Sequence, residues 1–587
     1  MGKNWRLRER YHEELVPDLL AARGVGEAAA QARLLAPDYA RDLHDPFLMK
    51  DMEVAVERIL AALAGGERIV IFADYDADGI PAAAVLTEFF RRVGHQNFDV
   101  YIPDRHNEAY GLNAAAIRKL AAGGAKLLIS VDCGIANAAE IALANELGLA
   151  VIVTDHHLIP ETGLPPALAV LNPKRADCVY PEKMLCGAGV AFKLVQALVS
   201  AAGNFSRVLG KNPQTAQKVS DGFVVPVGWE KWLLDLVAIA TISDLVPLRG
   251  ENRALAYFGL KVLRQTRRPG LLALYRQLKL DAAYLTEDDV AFMIGPRLNT
   301  AGRMSHASQA YFLLTTRDEA VAATIAAHLD EKNLLRRQSV DTILNQLGVA
   351  PTAGTPVLAG PILVAGRDDW SLGVLGLSAA RVLENSGAPA VFLWGKNGGG
   401  EIKGSCRSDG SINVVELMCA ADAGHSSPLF LNFGGHRHAG GFSLAPERLS
   451  ELGARLNAAY AQMSPTVVAD EIVIDRELEL AALDETFHRQ LEPLAPFGAD
   501  YPKPTFLFSD LTIAGVKSFG QSGNHLELTF TDHERGRPLR AIAFFNPFVA
   551  LALAGGQKIN LVASLEKSYF RSRAELRLRI VDLRVVG

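Results

Sequence analysis

A chain of 587 residues is too long for a single hydrophobic core, and at roughly 150 residues per domain it predicts three or four domains. Apolar residues at 49% and charged residues at 21% exclude a disordered or fibrous protein, while a net charge of -5 leaves room for a local basic groove. Five scattered cysteines without CxxC spacing support neither a disulfide framework nor a cysteine zinc site. The opening MGKNWRLRERYHEEL lacks a signal-peptide core, and no run approaches a membrane span, so a cytoplasmic location and no membrane partner are expected.

From about Val54 to Leu260, β-branched runs alternate with Ala/Leu-rich helical patterns. RIVIFADYD, KLLISVDCG and AVIVTDHHL each read as a buried strand ending in acidic or histidine residues, the pattern of βαβ units around a parallel sheet. ATISDLVPL reads in the same way, as an apolar strand that ends at Asp244. Ligands of such sheets bind beyond the carboxyl ends of the strands, so these polar clusters should converge on one edge. Between about Arg317 and Leu347 the text has helical periodicity, no Gly or Pro and alternating charges, which predicts one long helix joining two lobes. The Pro351 to Pro361 stretch reads as a boundary, and a second α/β unit follows from Ile362 to about Gln462. From about Glu471, HLELTFTD, LRAIAFF, INLVASL and ELRLRIVDLR alternate as in a small antiparallel barrel or sandwich. The expected fold class is α/β, with a parallel-sheet lobe, a smaller α/β lobe, and a C-terminal antiparallel barrel. The divisions expected are 1–50, 51–315, 316–350, 351–465 and 466–587.

The chemistry is concentrated in Asp74, Asp76 and Asp78 of DYDADG, Asp132 of VDCG, Asp155, His156 and His157 of TDHH, and Asp244. Read singly, Asp132 and Asp155 could be helix caps, His156 a core histidine, and DxDxDG a calcium loop, although no glutamate closes that loop. Together, hard carboxylate oxygens with one or two imidazoles suit Mn2+ or Mg2+, and their number fits two ions per site serving phosphoryl hydrolysis.

DYDADG, VDCG, TDHH and SDLVPL, in this order, resemble the DHH phosphoesterase superfamily. The strings ISDLVPLRGENRALAYFGL, IGPRLNTAGRM, KGSCRS and GGHRHAGGF narrow the resemblance to its bacterial single-strand-specific exonucleases, over nearly the whole chain from about residue 40. The resemblance implies a DHH lobe and a DHHA1 lobe joined by a long helix, followed by an OB-fold. It implies metal ligands at Asp76, Asp78, Asp132, His156 and Asp244, with Asp132 bridging. Asp74 and Asp155 would orient those ligands, and His157 would face the scissile phosphate. The 5′-phosphate pocket would comprise Arg105, Arg297, Arg303, Ser405 and Arg407, and the glycine-rich Gly434, Gly435 and His436 would contact substrate. On the barrel, Tyr569, Phe570, Arg571 and Arg573, with Lys567, Arg577 and Arg579 nearby, interleave aromatic and basic residues in a way that suits base stacking.

The activity implied is 5′→3′ digestion of single-stranded DNA to 5′-mononucleotides in DNA repair and recombination. A single-strand-binding protein and a helicase are implied partners, and a monomer is expected. The alternatives are a phosphodiesterase of short oligonucleotides or cyclic dinucleotides, a pyrophosphatase, and a non-catalytic single-strand-binding scaffold. Departures from the family pattern fall at Pro81, Ala109 and Ser371, none of them a metal ligand.

Overall fold

The computed structural model describes residues 4–105, 108, 110–202, 225–226, 228–349, 360–466, 471–520, 523–531, 538–544, 548, 551–569 and 574–586. After a short N-terminal strand β1 (Asn4–Leu7), the first lobe is built on β2 (Ile69–Ala73), β3 (Phe98–Tyr101), β4 (Leu127–Val131), β5 (Ala150–Thr154) and β6 (Ala169–Leu171). All pairings are parallel, in the order β3-β2-β4-β5-β6. Every residue of β2 and β4 is buried, as expected of strands covered on both faces. Side chains alternate across the sheet. Ile69 and Ile71 join a core with Ile80, Phe89 and Phe192, while Val70 and Phe72 join one with Ile117 and Ile141. The chain leaves β2 for β3 on one side and resumes at β4 on the other, so the carboxyl ends of β2 and β4 flank a topological switch point.

The apolar run before Asp244 is not a strand. Leu234–Ser243 is a helix whose residues are buried through Ile242, and Asp244 follows its last turn. A helix that is apolar all round carries no period, so a short run of this kind reads equally well as a strand.

The connecting helix, Glu319–Gln346, has 28 residues and starts at Asp318, whose side chain accepts from the Ala320 and Val321 amides. At 1.5 Å per residue it spans about 42 Å. The second lobe contains β7 (Ile362–Gly366), β8 (Ala390–Lys396), β9 (Ile402–Ser408), β10 (Asn432–His436) and β11 (Ala439–Leu444), in the order β10-β11-β9-β8-β7. Only β7 and β8 are parallel in this sheet.

The C-terminal region holds β12 (Glu471–Ile474), β13 (Arg476–Glu477), β14 (Phe506–Thr512), β15 (Gly515–Phe519), β16 (His525–Thr531), β17 (Pro538–Ala543), β18 (Lys558–Ser568) and β19 (Glu575–Val585). Strands β13 to β19 form one sheet, antiparallel except for the β13–β14 and β17–β19 pairs. Alternation in β16 sends Leu526, Leu528 and Phe530 into its core.

The N-terminal residues are shared between two bodies. Strand β1 pairs in parallel with β12, and Leu19 and Leu20 enter the C-terminal core, whereas Met49 and Met52 belong to the first lobe. Fully buried Asp18 binds Arg8 at 2.8 Å and Arg476 at 3.0 Å. Asp475 binds Arg8 and Arg23, each at 3.1 Å. Among the described residues, no helix is long and apolar enough to cross a membrane.

Candidate metal centre

The acidic residues are fixed by backbone groups of the elements they follow. Asp74 comes directly after β2, and a Cβ on Gly79 would lie 2.6 Å from its carbonyl oxygen, so only glycine allows the loop to fold back so tightly. Asp76 Oδ1 accepts from the Asp78 and Gly79 amides at 2.8 and 3.1 Å. The Gly187 and Ala188 amides, which open the Gly187–Ala202 helix, donate to Asp78 at 2.6 and 2.7 Å, so a helix N-terminus holds this carboxylate. Asp132 follows β4 at a φ of 60°, and a Cβ on Gly187 would lie 2.5 Å from the Asp132 Cβ. Asp155 follows β5 and has both oxygens engaged. It accepts from Ile135 N at 2.9 Å, His156 N at 2.7 Å, His157 N at 3.0 Å and His157 Nδ1 at 2.8 Å.

These constraints bring every predicted metal ligand together. His156 Nε2 lies 3.1 Å from Asp132, 3.6 Å from Asp78 and 3.9 Å from Asp244. Three sets offer ligand atoms within 4.8 Å of one another: Asp74, Asp76 and Asp132; Asp78, His156 and Asp244; and Asp132, His156 and His157. Asp132 and His156 each belong to two sets and so link them. Asp74 differs from expectation: it stands in a ligand set, and its Oδ1, like that of Asp132, is buried without a hydrogen-bond partner. Buried polar atoms are normally satisfied, so these two oxygens face a missing partner.

The electrostatics point the same way. Burial and then the neighbouring carboxylates raise Asp74 and Asp132 well above the usual carboxylate range, Asp78 to about 7 and Asp244 to about 8. Burial and the charge of His157 push His156 down to about 3, leaving it neutral and able to ligate. For His157, burial opposes charging, but the hydrogen bond and charge of Asp155 outweigh it and lift the imidazole to about 9. Clustered hard oxygens, a neutral imidazole and two orphaned oxygens fit Mn2+ or Mg2+.

Four neighbours went unnoticed in the sequence. Asn172 Nδ2 donates to the His157 carbonyl at 2.9 Å, and the charge of Lys174 acts on Asp244, His156 and Asp155. Both residues lie just beyond β6, so the rule that ligands gather past strand ends would have found them. Tyr110 Oη sits 3.2 Å from the Asp132 carbonyl and 3.4 Å from the His157 ring nitrogens. Asn299 Oδ1 accepts from Ala77 N at 2.9 Å and ties the Gly295–Met304 helix to the aspartate loop.

Of the residues predicted to hold a phosphate, some come together. Arg105 stacks over Tyr75 at 4.8 Å, and Arg303 Nη1 donates to Gly373 O at 3.4 Å. A Cβ on Gly376 would meet Arg407 Nη2 at 2.9 Å and Ser405 Oγ at 3.5 Å. Arg303, Arg407 and Ser405 therefore surround the first turn of the Leu372–Ser386 helix, where the N-cap Ser371 makes no side-chain cap bond. Arg297 departs from expectation: it is buried, pairs with Asp330 at 2.9 Å, and so braces two helices instead of opening to the pocket. Gly434, Gly435 and His436 lie on the edge strand β10. His436 is in register with Ala439 of β11, which pairs with Arg407 of β9. Gly435 has a φ of 145°, and a Cβ there would lie 2.3 Å from Ala439 O.

On the C-terminal sheet, Tyr569 is stacked on Tyr284 of the first lobe at 3.8 Å, so one of its faces is covered. Phe570, Arg571 and Arg573 lie outside the described residues, as does Ala109. The basic-aromatic group that is described has Arg579 at 4.0 Å over Phe544, beside Phe519 and His525. Pro81 is the third residue of the Gly79–Arg92 helix, within the first turn, where proline is tolerated.

A five-stranded parallel sheet with an acidic cluster and a paired-histidine loop at its carboxyl edge defines a DHH-type protein. The family described as "DHH family, N-terminal domain" matches residues 68–225, "DHHA1 domain" matches 359–462, and "RecJ OB domain" matches 474–582. The chain belongs to the RecJ family. The single-stranded-DNA-specific exonuclease RecJ of Bacillus subtilis (strain 168) is 33% identical over 585 residues, covering 99% of this chain and 69% of that protein. The namesake from Dickeya dadantii (strain 3937) is 33% identical over 579 residues, covering 97% and 96%. The crystal structure of RecJ in complex with Mn2+ from Thermus thermophilus superposes with a TM-score of 0.77 at 28% identity, covering 99% of this chain and 79% of that one.

Proposed function

We propose that this chain is a 5′→3′ exonuclease that hydrolyses single-stranded DNA to 5′-mononucleotides, using two Mn2+ or Mg2+ ions. The observation that carries the reading is the pair of ligand sets linked through Asp132 and His156, with two buried carboxylate oxygens lacking partners. Relatives named single-stranded-DNA-specific exonucleases and a Mn2+-bound RecJ structure support it. Asp74, Asp76 and Asp132 would hold one ion, and Asp78, His156 and Asp244 the other, with Asp132 of the first set beside His156 of the second. Such ions lower the pKa of a water and neutralise charge on the phosphate during in-line displacement.

The protein's own groups divide the remaining work. Asp155 holds His157 charged and aimed, so His157 can give a proton to the departing 3′ oxygen, while Tyr110 and Asn172 fix its position. Lys174 adds positive charge on the Asp244 side. Arg105, Arg303, Ser405 and Arg407 would hold the terminal phosphate and set polarity, with backbone amides of the adjoining helix assisting. His436 and the β10 glycines would lie along the strand's path. The protein would act as a cytoplasmic monomer in DNA repair and recombination, on strands exposed by a helicase and coated by a single-strand-binding protein.

The test is digestion of a long single strand labelled at either end, with Mn2+, by wild type and Asp132→Ala. The 5′ label should be released first, as mononucleotide, by wild type alone. Initial release of the 3′ label, or metal-independent release, would overturn the reading.

A further inference from the structure

The Gly295–Met304 helix and the connecting helix lie side by side and run in the same direction. Arg297 pairs with Asp330 at 2.9 Å, and Thr300 Oγ1 lies 3.4 Å from Asn333 Oδ1, each pair separated by 33 residues. The same offset one turn later sets Arg303 opposite Arg336. An ion pair and a hydrogen bond are thus followed by a rung of two like charges.

Among the described residues no carboxylate forms an ion pair across that rung; Asp76 acts on Arg303, and Asp341 on Arg336, only through their charge. Arg336 donates only to Asn333 Oδ1, at 3.3 and 3.0 Å, on its own helix. Arg303 donates only to Gly373 O. Burial lowers each guanidinium to about 10, with neighbouring arginines adding to the shift, Arg336 among those acting on Arg303. Two half-buried cations facing each other without an ion-paired carboxylate destabilise the fold, and the arrangement makes sense as an anion site. Arg105 and Arg407 also lack ion pairs among the described residues, and with Arg336 they act on Arg303, which brings the group to four arginines. A terminal phosphate monoester carries only about two negative charges. The cradle therefore holds more positive charge than one such phosphate needs.

We propose that Arg303 and Arg336 form an anion subsite adjoining the terminal-phosphate pocket, which takes the outer phosphates of a 5′-di- or triphosphorylated strand. This rests on the reading of the pocket as the place where the 5′ end is held.

The test uses the full chain without divalent metal, so that no hydrolysis occurs. Anisotropy would measure binding of one oligonucleotide bearing a 5′-hydroxyl, 5′-monophosphate or 5′-triphosphate to wild type, Arg336→Met, and Arg337→Met, which alters an exposed neighbour. Wild type and Arg337→Met should bind the triphosphate end about tenfold or more tighter than the monophosphate, the scale of a charge-assisted hydrogen bond. Arg336→Met should lose that preference and keep its preference for monophosphate over hydroxyl. In thermal melts, inorganic tripolyphosphate should stabilise wild type and leave Arg336→Met unmoved, with the variant no less stable than wild type in plain buffer. Equal affinity of wild type for monophosphate and triphosphate ends would overturn the proposal. So would equal loss on both ends in Arg336→Met, or a lowered melting temperature with the tripolyphosphate response intact. Neither readout needs catalysis, so triphosphate preference without metal-dependent digestion would sink the exonuclease reading and leave the subsite standing.

Discussion

Two groups of buried carboxylates in this protein have opposite electrostatics. At the junction of the N-terminal segment with the C-terminal sheet, Asp18 and Asp475 are matched by Arg8, Arg23 and Arg476. Burial acts to raise Asp18, but Arg8 and the Tyr11 and His12 amides outweigh it and hold that carboxyl far below its usual range. At the carboxyl edge of the first sheet, Asp74, Asp78 and Asp132 are buried and Asp244 is half-buried beside them, and their pKa values are raised. A cluster whose charges sum to near zero is a clasp between chain segments. One left with surplus charge of a single sign is a receptor for an ion of the other sign. The arginine cradle repeats the second case with the sign reversed.

The contrast is broken most severely at its centre. Asp132→Ala removes the residue common to two ligand sets, and kcat for single strands should fall by about 10^3-fold or more, or about 4 kcal/mol of transition-state stabilisation. Its metal-free melting temperature should not fall, because surplus like charge is removed. A variant that melts earlier and retains activity would reverse the two roles. At the clasp the effects should exchange. Asp18→Asn leaves two arginines partly unmatched and should cost about 3–5 kcal/mol of stability in chemical denaturation, with kcat per folded molecule unchanged. Metal should sharpen the distinction. Mn2+ at about a hundredfold excess over its dissociation constant should add about 2.7 kcal/mol to wild type and to Asp18→Asn, and markedly less to Asp132→Ala.

Acid separates the groups by sign. The folded-state pKa of Asp18 is depressed, so its contribution is present above the ordinary carboxylate range and is lost as pH falls through the folded value. Between pH 5 and pH 3 wild type should therefore lose stability faster than Asp18→Asn, as read by denaturant midpoints at each pH; parallel curves would show the clasp to be inert. The smallest effect belongs to a contact with no net charge. Tyr569→Ala removes the stack on Tyr284 and should cost about 0.5–1.5 kcal/mol of stability. Its effect on single-strand affinity should stay within about threefold by anisotropy, because one face of the ring is already covered.

The first lobe was legible because β-branched runs ending in acid are a local signal, and the strand-end rule turns three local signals into one site. Asp244 was assigned to the right cluster for the wrong local reason, since an apolar helix and an apolar strand of that length look alike in text. Arg297 shows another limit: a sequence displays an arginine but not the Asp330 that engages it across two helices. Asp74 was expected to brace and instead stands among ligand atoms, a distinction that depends on tenths of an ångström within one loop. The pairing of β1 with β12 leaves no trace in either segment, because neither carries information about a partner so remote.

That pairing also constrains how the molecule can be made. Arg8 and Asp475, which lie at the end of the two strands, are 467 residues apart. At about 5–20 residues per second of synthesis, the first strand waits roughly 25–95 s for its neighbour to leave the ribosome. Until then the Asp18 carboxylate and the Leu19–Leu20 pair have no home, and the nascent chain carries an unfinished seam while the first lobe is free to fold behind it. The amino terminus is thus emitted first and settled last.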